Sequence, residues 1–530
     1  MNRTRNFLSP GRSVAVAENG MAATSHPAAT LAALDILRAG GNAIDAAIAA
    51  VALQGVVDPH MTGIGGDCFV LFAPRGRKPL VALNGSGRAP AAAHLDWFLE
   101  RGITALPDHS PHAVTVPGAV DAWCRLSSDH GRKSIDEVLQ PAIKAAEGGF
   151  VIHPRVSHDW ARFSERVGRY AGASVYLPGG EVPKVGQRLT LPALARTLKR
   201  IGREGRDAFY KGAIADDMVK TLRDLGGLHT LDDFAAQTCD YVEPISANYR
   251  GYTLHECPPN GQGLAALIIA RILEGFDLGA SNLSEADRIH LMAEATKAAY
   301  RKRDLLVADP AFAPFDVSEV LSDSAIGAMR KPISLDKALP PETWDGPVHR
   351  DTVYVTVVDR DRNAVSFINS LFNAFGSGIY AAESGVLLQN RGSGFRFTKG
   401  HANAIAPRKR PLHTIIPGLV TKGDRAVMSF GVMGGQFQST GHAQILSNIV
   451  DRGDNPQSAS DRPRSFIVDG ALSIEPTIDA AIADDLAKRG HRVVRAEAPH
   501  GGCQAIWIDE ENGVLLGGSD HRKDGLALGY

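Results

Sequence analysis

The 530-residue sequence predicts an α+β protein, largely helical over its first two thirds and β-rich over its last third. Three observations carry this expectation. Apolar residues recur at helical spacing through most of 120–340. At Arg350 the texture switches to runs of β-branched and aromatic residues, alternating or continuous, as strands require. The composition, 44% hydrophobic and 22% charged with 55 glycines, is that of a globular chain able to bury a large core.

Taken in order, residues 27–55 read as two helices. Ala, Leu and Ile recur over 27–38, Gly40-Gly41 ends that pattern, and Asn42 is placed to cap a second run over 43–53. Next comes a glycine-rich turn, Gly63-Ile64-Gly65-Gly66, feeding a strand over 68–72. The turn is read as tight backbone needing positive φ. The middle block alternates helices expected at 134–147, 191–201, 263–274 and 285–307 with short loops. Beyond 350, two strands joined by a turn at 359–363 are expected. Further strands follow at 385–388, 412–420, 426–430 and 503–508, with a helix at about 440–451 among them. No repeat or low-complexity tract appears, so the change at about 350 is the natural boundary.

Several function classes are excluded. With 57 basic and 58 acidic residues there is no electrostatic case for nucleic acid or an acidic membrane as partner. The five cysteines, Cys68, Cys124, Cys239, Cys257 and Cys503, are scattered and form no CxxC pair. They encode neither a disulfide framework nor a zinc site and read as buried thiols of a reducing compartment. The N-terminus has no apolar signal core, and no run of about 18 apolar residues occurs, so a cytoplasmic location is expected. No GxxxxGK[ST], HExxH or GxSxG motif is present. Gly63-Ile64-Gly65-Gly66-Asp67-Cys68 has cysteine where a dinucleotide loop needs its third glycine, and it precedes a strand. Neither cofactor nor metal is expected.

The chemistry begins at the boundary. Thr352 heads a run containing Thr356-Val357-Val358-Asp359 and Asn363-Ala364-Val365-Ser366. Phe375-Gly376-Ser377-Gly378 and Glu383-Ser384-Gly385-Val386-Leu387-Leu388-Gln389-Asn390 follow. Together these resemble the γ-glutamyltranspeptidase family of N-terminal-nucleophile hydrolases. Distant segments match in the family's order: Asp58-Pro59-His60, Val116-Pro117-Gly118-Ala119-Val120, Ala293-Glu294-Ala295, Gly434-Gly435 and Ser519-Asp520-His521-Arg522-Lys523-Asp524-Gly525.

The resemblance implies self-cleavage between Asp351 and Thr352. The products are a large subunit, 1–351, and a small one, 352–530, intertwined as one structural domain. The fold implied is a four-layer αββα sandwich with Thr352 starting a central strand. Its partners are a small-molecule amide substrate and the two subunits themselves, and a dimer of processed heterodimers is left open. The chemistry explains the terminal position. A threonine hydroxyl is a weak nucleophile without an adjacent base, and the freed α-amino group, titrating near ~8, is that base. Gly434-Gly435 match paired glycines whose amides hold the oxyanion, a contribution of about 3–4 kcal/mol for each donor. Ser370 falls where the family places a hydroxyl beside the nucleophile, a position a satisfied strand serine would also fill.

The substrate pocket departs from the pattern. Ser86 stands where the family has the arginine that grips the substrate α-carboxylate, with Arg88 two residues on. Phe372 replaces an asparagine and Gly394 an aspartate that hold the α-amino group, within Asn390-Arg391-Gly392-Ser393-Gly394-Phe395. His413-Thr414 replace paired serines. A substrate ammonium left without its acid loses charge-assisted bonds of roughly 1.5–3 kcal/mol. Arg88 and Arg391 suit a substrate carboxylate, or alternatively structural ion pairs. The connection from Phe395 to His413 is short for a lid, which favours hydrolysis over transfer. Two substrate classes follow: γ-glutamyl compounds such as glutathione, or the acyl groups of amidohydrolases similar to oxamate amidohydrolase and cephalosporin acylases. A third reading, an inactive binding protein, is opposed by the intact Thr352 and glycine pair.

Overall fold

The computed structural model describes Met1 and residues 11–344 and 352–530. Two antiparallel seven-stranded sheets form its centre. Their strands in chain order are β1 (Ala15–Ala17), β2 (Met21–Thr24), β3 (Asp67–Ala73), β4 (Val81–Gly85), β5 (Asp240–Val242), β6 (Ile245–Tyr249), β7 (Tyr252–Glu256), β8 (Val353–Val358), β9 (Ala364–Ser370), β10 (Gly418–Lys422), β11 (Arg425–Met433), β12 (Gly502–Asp509), β13 (Val514–Ser519) and β14 (Leu526–Gly529). The first sheet has the order β14-β2-β8-β9-β3-β4-β5, and the second β1-β13-β12-β11-β10-β7-β6.

Helices close both outer faces. On the first sheet lie α1 (Pro27–Arg38) and α2 (Ala43–Val57), with α3 (Ile135–Gly148) and α4 (Pro192–Glu204) stacked beyond α2. Helix α2 is apolar on every side and buried throughout, as a helix between two layers must be. It starts at a capping box in which the Asn42 and Asp45 side chains each bond the other's backbone amide. On the second sheet lie α5 (Gly263–Leu273), α6 (Glu285–Leu306) and α7 (Phe437–Val450). A third core, with Phe69, Leu71, Tyr354, Ile368, Leu419 and Ile506, fills the gap between the sheets. This is the four-layer αββα sandwich expected above, and each sheet takes strands from both sides of the 351/352 bond.

The differences from expectation have physical causes. The helical middle block also holds β5, β6 and β7, whose short runs have mixed burial and no apolar signal, because β5 and β6 lie at sheet edges. The strand expected at 412–420 begins only at Gly418, since Pro411 and Pro417 lack amide donors for a ladder. The strand at 385–388 shrinks to Val386–Leu387, and α7 starts three residues before the expected 440. Gly65 and Gly66 do not adopt positive φ. They are small because a Cβ would lie 2.0 Å from the Leu387 carbonyl oxygen and 2.3 Å from that of Ser370. All five cysteines are free, and four are buried. Among the described residues no helix is long and apolar enough to cross a membrane.

Candidate active site

Strand β8 is buried on both faces, so its period of two assigns each residue a layer. Val355 and Val357 point to the helix layer, while Tyr354 and Val358 point between the sheets. Thr352 shares the parity of Tyr354. Cross-sheet contacts fix its level: Thr356 Oγ1 meets Ser429 Oγ at 2.7 Å, and the Tyr354 ring occupies the space a Cβ on Gly431 would take. Each step back along β8 is thus a step forward along β11, and Thr352 comes level with Met433 and the glycines after it. Register in the first sheet pairs Val353 with Asn369 and Ser370 with Asp67. Thr352, Ser370 and Asp67 therefore form a row across the ends of three strands. Thr352 Oγ1 donates to Ser370 Oγ at 3.3 Å, and Ser370 Oγ also accepts the Phe372 amide at 2.8 Å.

Gly434 and Gly435 connect β11 to α7 with φ of 121° and 61°, conformations open to glycine. A Cβ on Gly434 would lie 2.8 Å from Gly501 Cα. The Gly434 carbonyl accepts from Phe437 N at 3.1 Å, which turns the amide of Gly435, in the same peptide unit, away from α7. The positive end of that helix favours negative charge here as well. The tail motif supports this loop: Asp520 accepts from Cys503 N at 2.7 Å and pairs with buried Arg464 and Arg522. Burial works to raise the Asp520 pKa, but the two guanidinium groups prevail and hold it below the usual carboxylate range.

On the other side of the row, Asp67 accepts four bonds. Gly87 N, Gly118 N and Gln389 Nε2 reach Oδ1, and His413 Nε2 reaches Oδ2 at 3.1 Å. Burial, with Arg391 adding to it, pushes His413 down to about 3, so the ring is neutral and its proton sits on Nε2. Arg391 is fully buried. Its guanidinium lies 3.9 Å from the centre of the Phe372 ring, and Nη1 donates to Thr414 Oγ1 at 2.9 Å. Nε and Nη2 have no hydrogen-bond partner among the described residues. Burial lowers its pKa to about 9, against which the charge of Asp67 acts. Phe372 has φ of 80°, a costly conformation for a bulky residue, and it is this residue that carries the ring under Arg391.

The structure thus brings Thr352, Ser370, Phe372, Arg391, His413 and Thr414 into one contiguous set. Arg88 is not among them. It donates to the Thr238 carbonyl and pairs with Asp240, which Arg410 also holds, so the ion-pair alternative is the one its geometry carries. The Asn390 side chain is consumed by Asn373 N and the Asp108 carbonyl and acts as a strut. Asp351 lies outside the described residues. His290, Glu294 and His491 are close enough to hold a metal ion, but both Glu294 oxygens already accept, from Lys297 Nζ and Leu339 N. A divalent ion would have to displace a cation there.

A family model described as Gamma-glutamyltranspeptidase matches residues 29–530. The chain belongs to the γ-glutamyltranspeptidase family. It is 37% identical to a glutathione hydrolase-like proenzyme of Bacillus subtilis, over 96% of this chain and 98% of that protein. It is 34% identical to an oxamate amidohydrolase proenzyme of Klebsiella pneumoniae, over 97% and 99% of the two chains. A cephalosporin acylase structure from Bacillus halodurans is similar at a TM-score of 0.93 and 39% identity, covering 100% of this chain and 99% of that one. This γ-glutamyltranspeptidase-family chain is therefore an enzyme of amide and acyl-transfer chemistry.

Sequence reasoning missed part of the γ-glutamyltranspeptidase-family site. Asp67 was seen only as part of a turn, and Gln262, Tyr300, Arg303 and Gln436 were not singled out. Gln262, Tyr300, Arg303 and Gln436 bond one another across 41 to 136 residues, so no local spacing marks them.

Proposed function

We propose that the chain cleaves itself before Thr352 and then uses Thr352 to cleave amides whose acyl part carries a carboxylate. The carrying observation is the row at the ends of β3, β9 and β8. A nucleophile-type hydroxyl stands at one end, and a buried guanidinium with two nitrogens unpartnered among the described residues lies past the other. The freed α-amino group takes the Thr352 hydroxyl proton, and Oγ1 attacks the amide carbon. The tetrahedral oxyanion is held by the backbone amides of the Gly434-Gly435 loop. The ammonium then protonates the leaving amine, leaving an ester on Thr352. Water, activated by the same amine, releases the acid, and an acceptor amine in its place gives transfer. The names of the relatives support a precursor processed into two subunits, here 1–351 and 352–530, and a small-molecule substrate.

Both γ-glutamyl groups and smaller diacid half-amides carry a carboxylate. The absent aspartate argues for acyl groups without an α-ammonium, because Asp67, the acid facing Arg391, already serves four donors. The relatives named as glutathione hydrolases favour the γ-glutamyl class. Denaturing electrophoresis tests the nucleophile: wild type runs as two fragments, and Thr352→Ala as one chain with activity down about 10⁴-fold or more. Active, uncleaved wild-type protein would sink the mechanism. A panel pairing a γ-glutamyl anilide with a carboxylate-bearing anilide lacking the amino group tests the substrate. The second should be turned over faster, and the reverse ranking returns the enzyme to the γ-glutamyl class.

A further inference from the structure

The two loops of the proposed site, 434–435 and 413–414, belong to different parts of the small segment, yet catalysis needs them in fixed register. A carbonyl gripped through its carboxylate end must arrive within about 0.5 Å of the oxyanion donors. One side chain of the other segment bonds both loops. Gln262, fully buried just before α5, donates from Nε2 both to the Thr414 carbonyl at 2.7 Å and to the Gly435 carbonyl at 3.0 Å. Its backbone amide reaches the His413 carbonyl at 2.9 Å, and its own carbonyl accepts from Ser439 Oγ at 3.2 Å in the first turn of α7. Both hydrogens of the amide nitrogen are thus spent on the two loops.

The orientation of that amide is enforced from α6. Arg303 sends Nη1 to Gln262 Oε1 and Nη2 to Gln436 Oε1, each at 3.0 Å. A guanidinium only donates, so it fixes both amide groups with oxygen inward and nitrogen outward. Arg303 is itself held over the Tyr300 ring at 4.0 Å and bonded to Asp304 through Nε, while the Tyr300 hydroxyl bonds the Gln436 carbonyl. The carbonyls of Gly435 and Gln436 are therefore both clamped by large-segment side chains, and the clamp on Gly435 is shared with Thr414, the residue that touches Arg391.

We infer that Gln262, oriented by Arg303, is a positioning residue that sets the oxyanion loop and the carboxylate-binding loop in register. This rests on the roles of Thr352, the glycine pair and Arg391 proposed above. Loss of this residue should affect two quantities that general destabilisation does not change together. The rate of acylation falls because the donors shift, and the preference for a carboxylate over an uncharged analogue narrows because Thr414 and Arg391 shift with them.

The test uses processed enzyme carrying Gln262→Leu, which keeps the volume and removes the donors. Rates are measured on a carboxylate-bearing anilide and its uncharged analogue, and active sites are counted by the acyl-enzyme burst. Expected, per active site, is a kcat lower by about 10–100-fold on both substrates and a raised KM on the carboxylate substrate alone. An unchanged kcat per site with unchanged preference overturns the inference. If Gln262→Leu does not fold, Arg303→Lys, which keeps the charge but cannot fork to both glutamines, should lower kcat about tenfold with the same narrowing. Wild-type constants for that variant overturn the inference too. The outcomes separate from those of the function itself. An active Thr352→Ala removes the nucleophile reading, whereas an inactive one beside an unaffected Gln262→Leu removes only the positioning role.

Discussion

Arg303 and Arg391 are alike in almost every respect that burial measures. Each is buried, each lies over an aromatic ring at about the same distance, 4.0 and 3.9 Å, and each serves the loops around Thr352. They differ in how many donors are used. Arg303 bonds through Nε, Nη1 and Nη2 to Asp304, Gln262 and Gln436. Among the described residues Arg391 bonds through Nη1 alone. A buried cation with open donors costs folding free energy, a cost that a bound anion would offset. The first arginine is completed by the protein; on the function proposed above, the second is completed by the substrate.

Removing each charge should therefore have opposite effects. For Arg391→Met, kcat/KM on a carboxylate-bearing amide should fall by about 10²–10³-fold, as expected when one partner of a desolvated charge pair is removed. Its urea midpoint should stay level or rise, because an incompletely paired buried cation has been replaced by an apolar chain. A clear loss of stability would mean that Arg391 is part of the frame. For Arg303→Met the stability should fall by about 3–5 kcal/mol, since Gln262 Oε1 and Gln436 Oε1 lose their donors in a dry interior. An Arg303→Met enzyme as stable as wild type would erase the distinction between the two arginines.

This contrast also marks what was legible in the sequence. Thr352 and Gly434-Gly435 could be named only through the family resemblance, because a β-branched residue opening a strand and a glycine pair before a helix are ordinary features on their own. The layer order followed from the family resemblance, and the helices expected over 27–55 and 285–307 from periodicity, with the Asn42 cap marking the second of the first pair; the structure ends them at Val57 and Leu306. The pocket was legible only as departures from a pattern. Phe372, Arg391 and His413 could be named, but Arg88 and Arg391 looked equivalent, because an ion-pair partner such as Asp240 is 152 residues from Arg88. The edge strands β5 and β6 and the Gln262–Arg303 brace gave no signal. Their function is defined by contacts across the sandwich, and a single polar residue carries no record of which way it will point.

The smallest effect expected is a pH limb in substrate binding produced by Arg391. Burial pulls Arg391 down to about 9 from the ordinary value near 12.5, and Asp67 offsets this in part. In the free enzyme the folded state thus binds fewer protons than the unfolded chain between about 9 and 12.5, so this group's contribution to stability rises with pH through that window. Carboxylate binding runs the other way. It needs the cation, and a bound carboxylate raises the guanidinium pKa again. KM for a carboxylate amide should accordingly climb above pH 9, approaching tenfold per unit, while kcat, which reports the complex, stays level on that side. The uncharged analogue should show no such rise. A KM flat to pH 10.5 on both substrates would mean that Arg391 is as well partnered as Arg303, and that the carboxylate is gripped elsewhere.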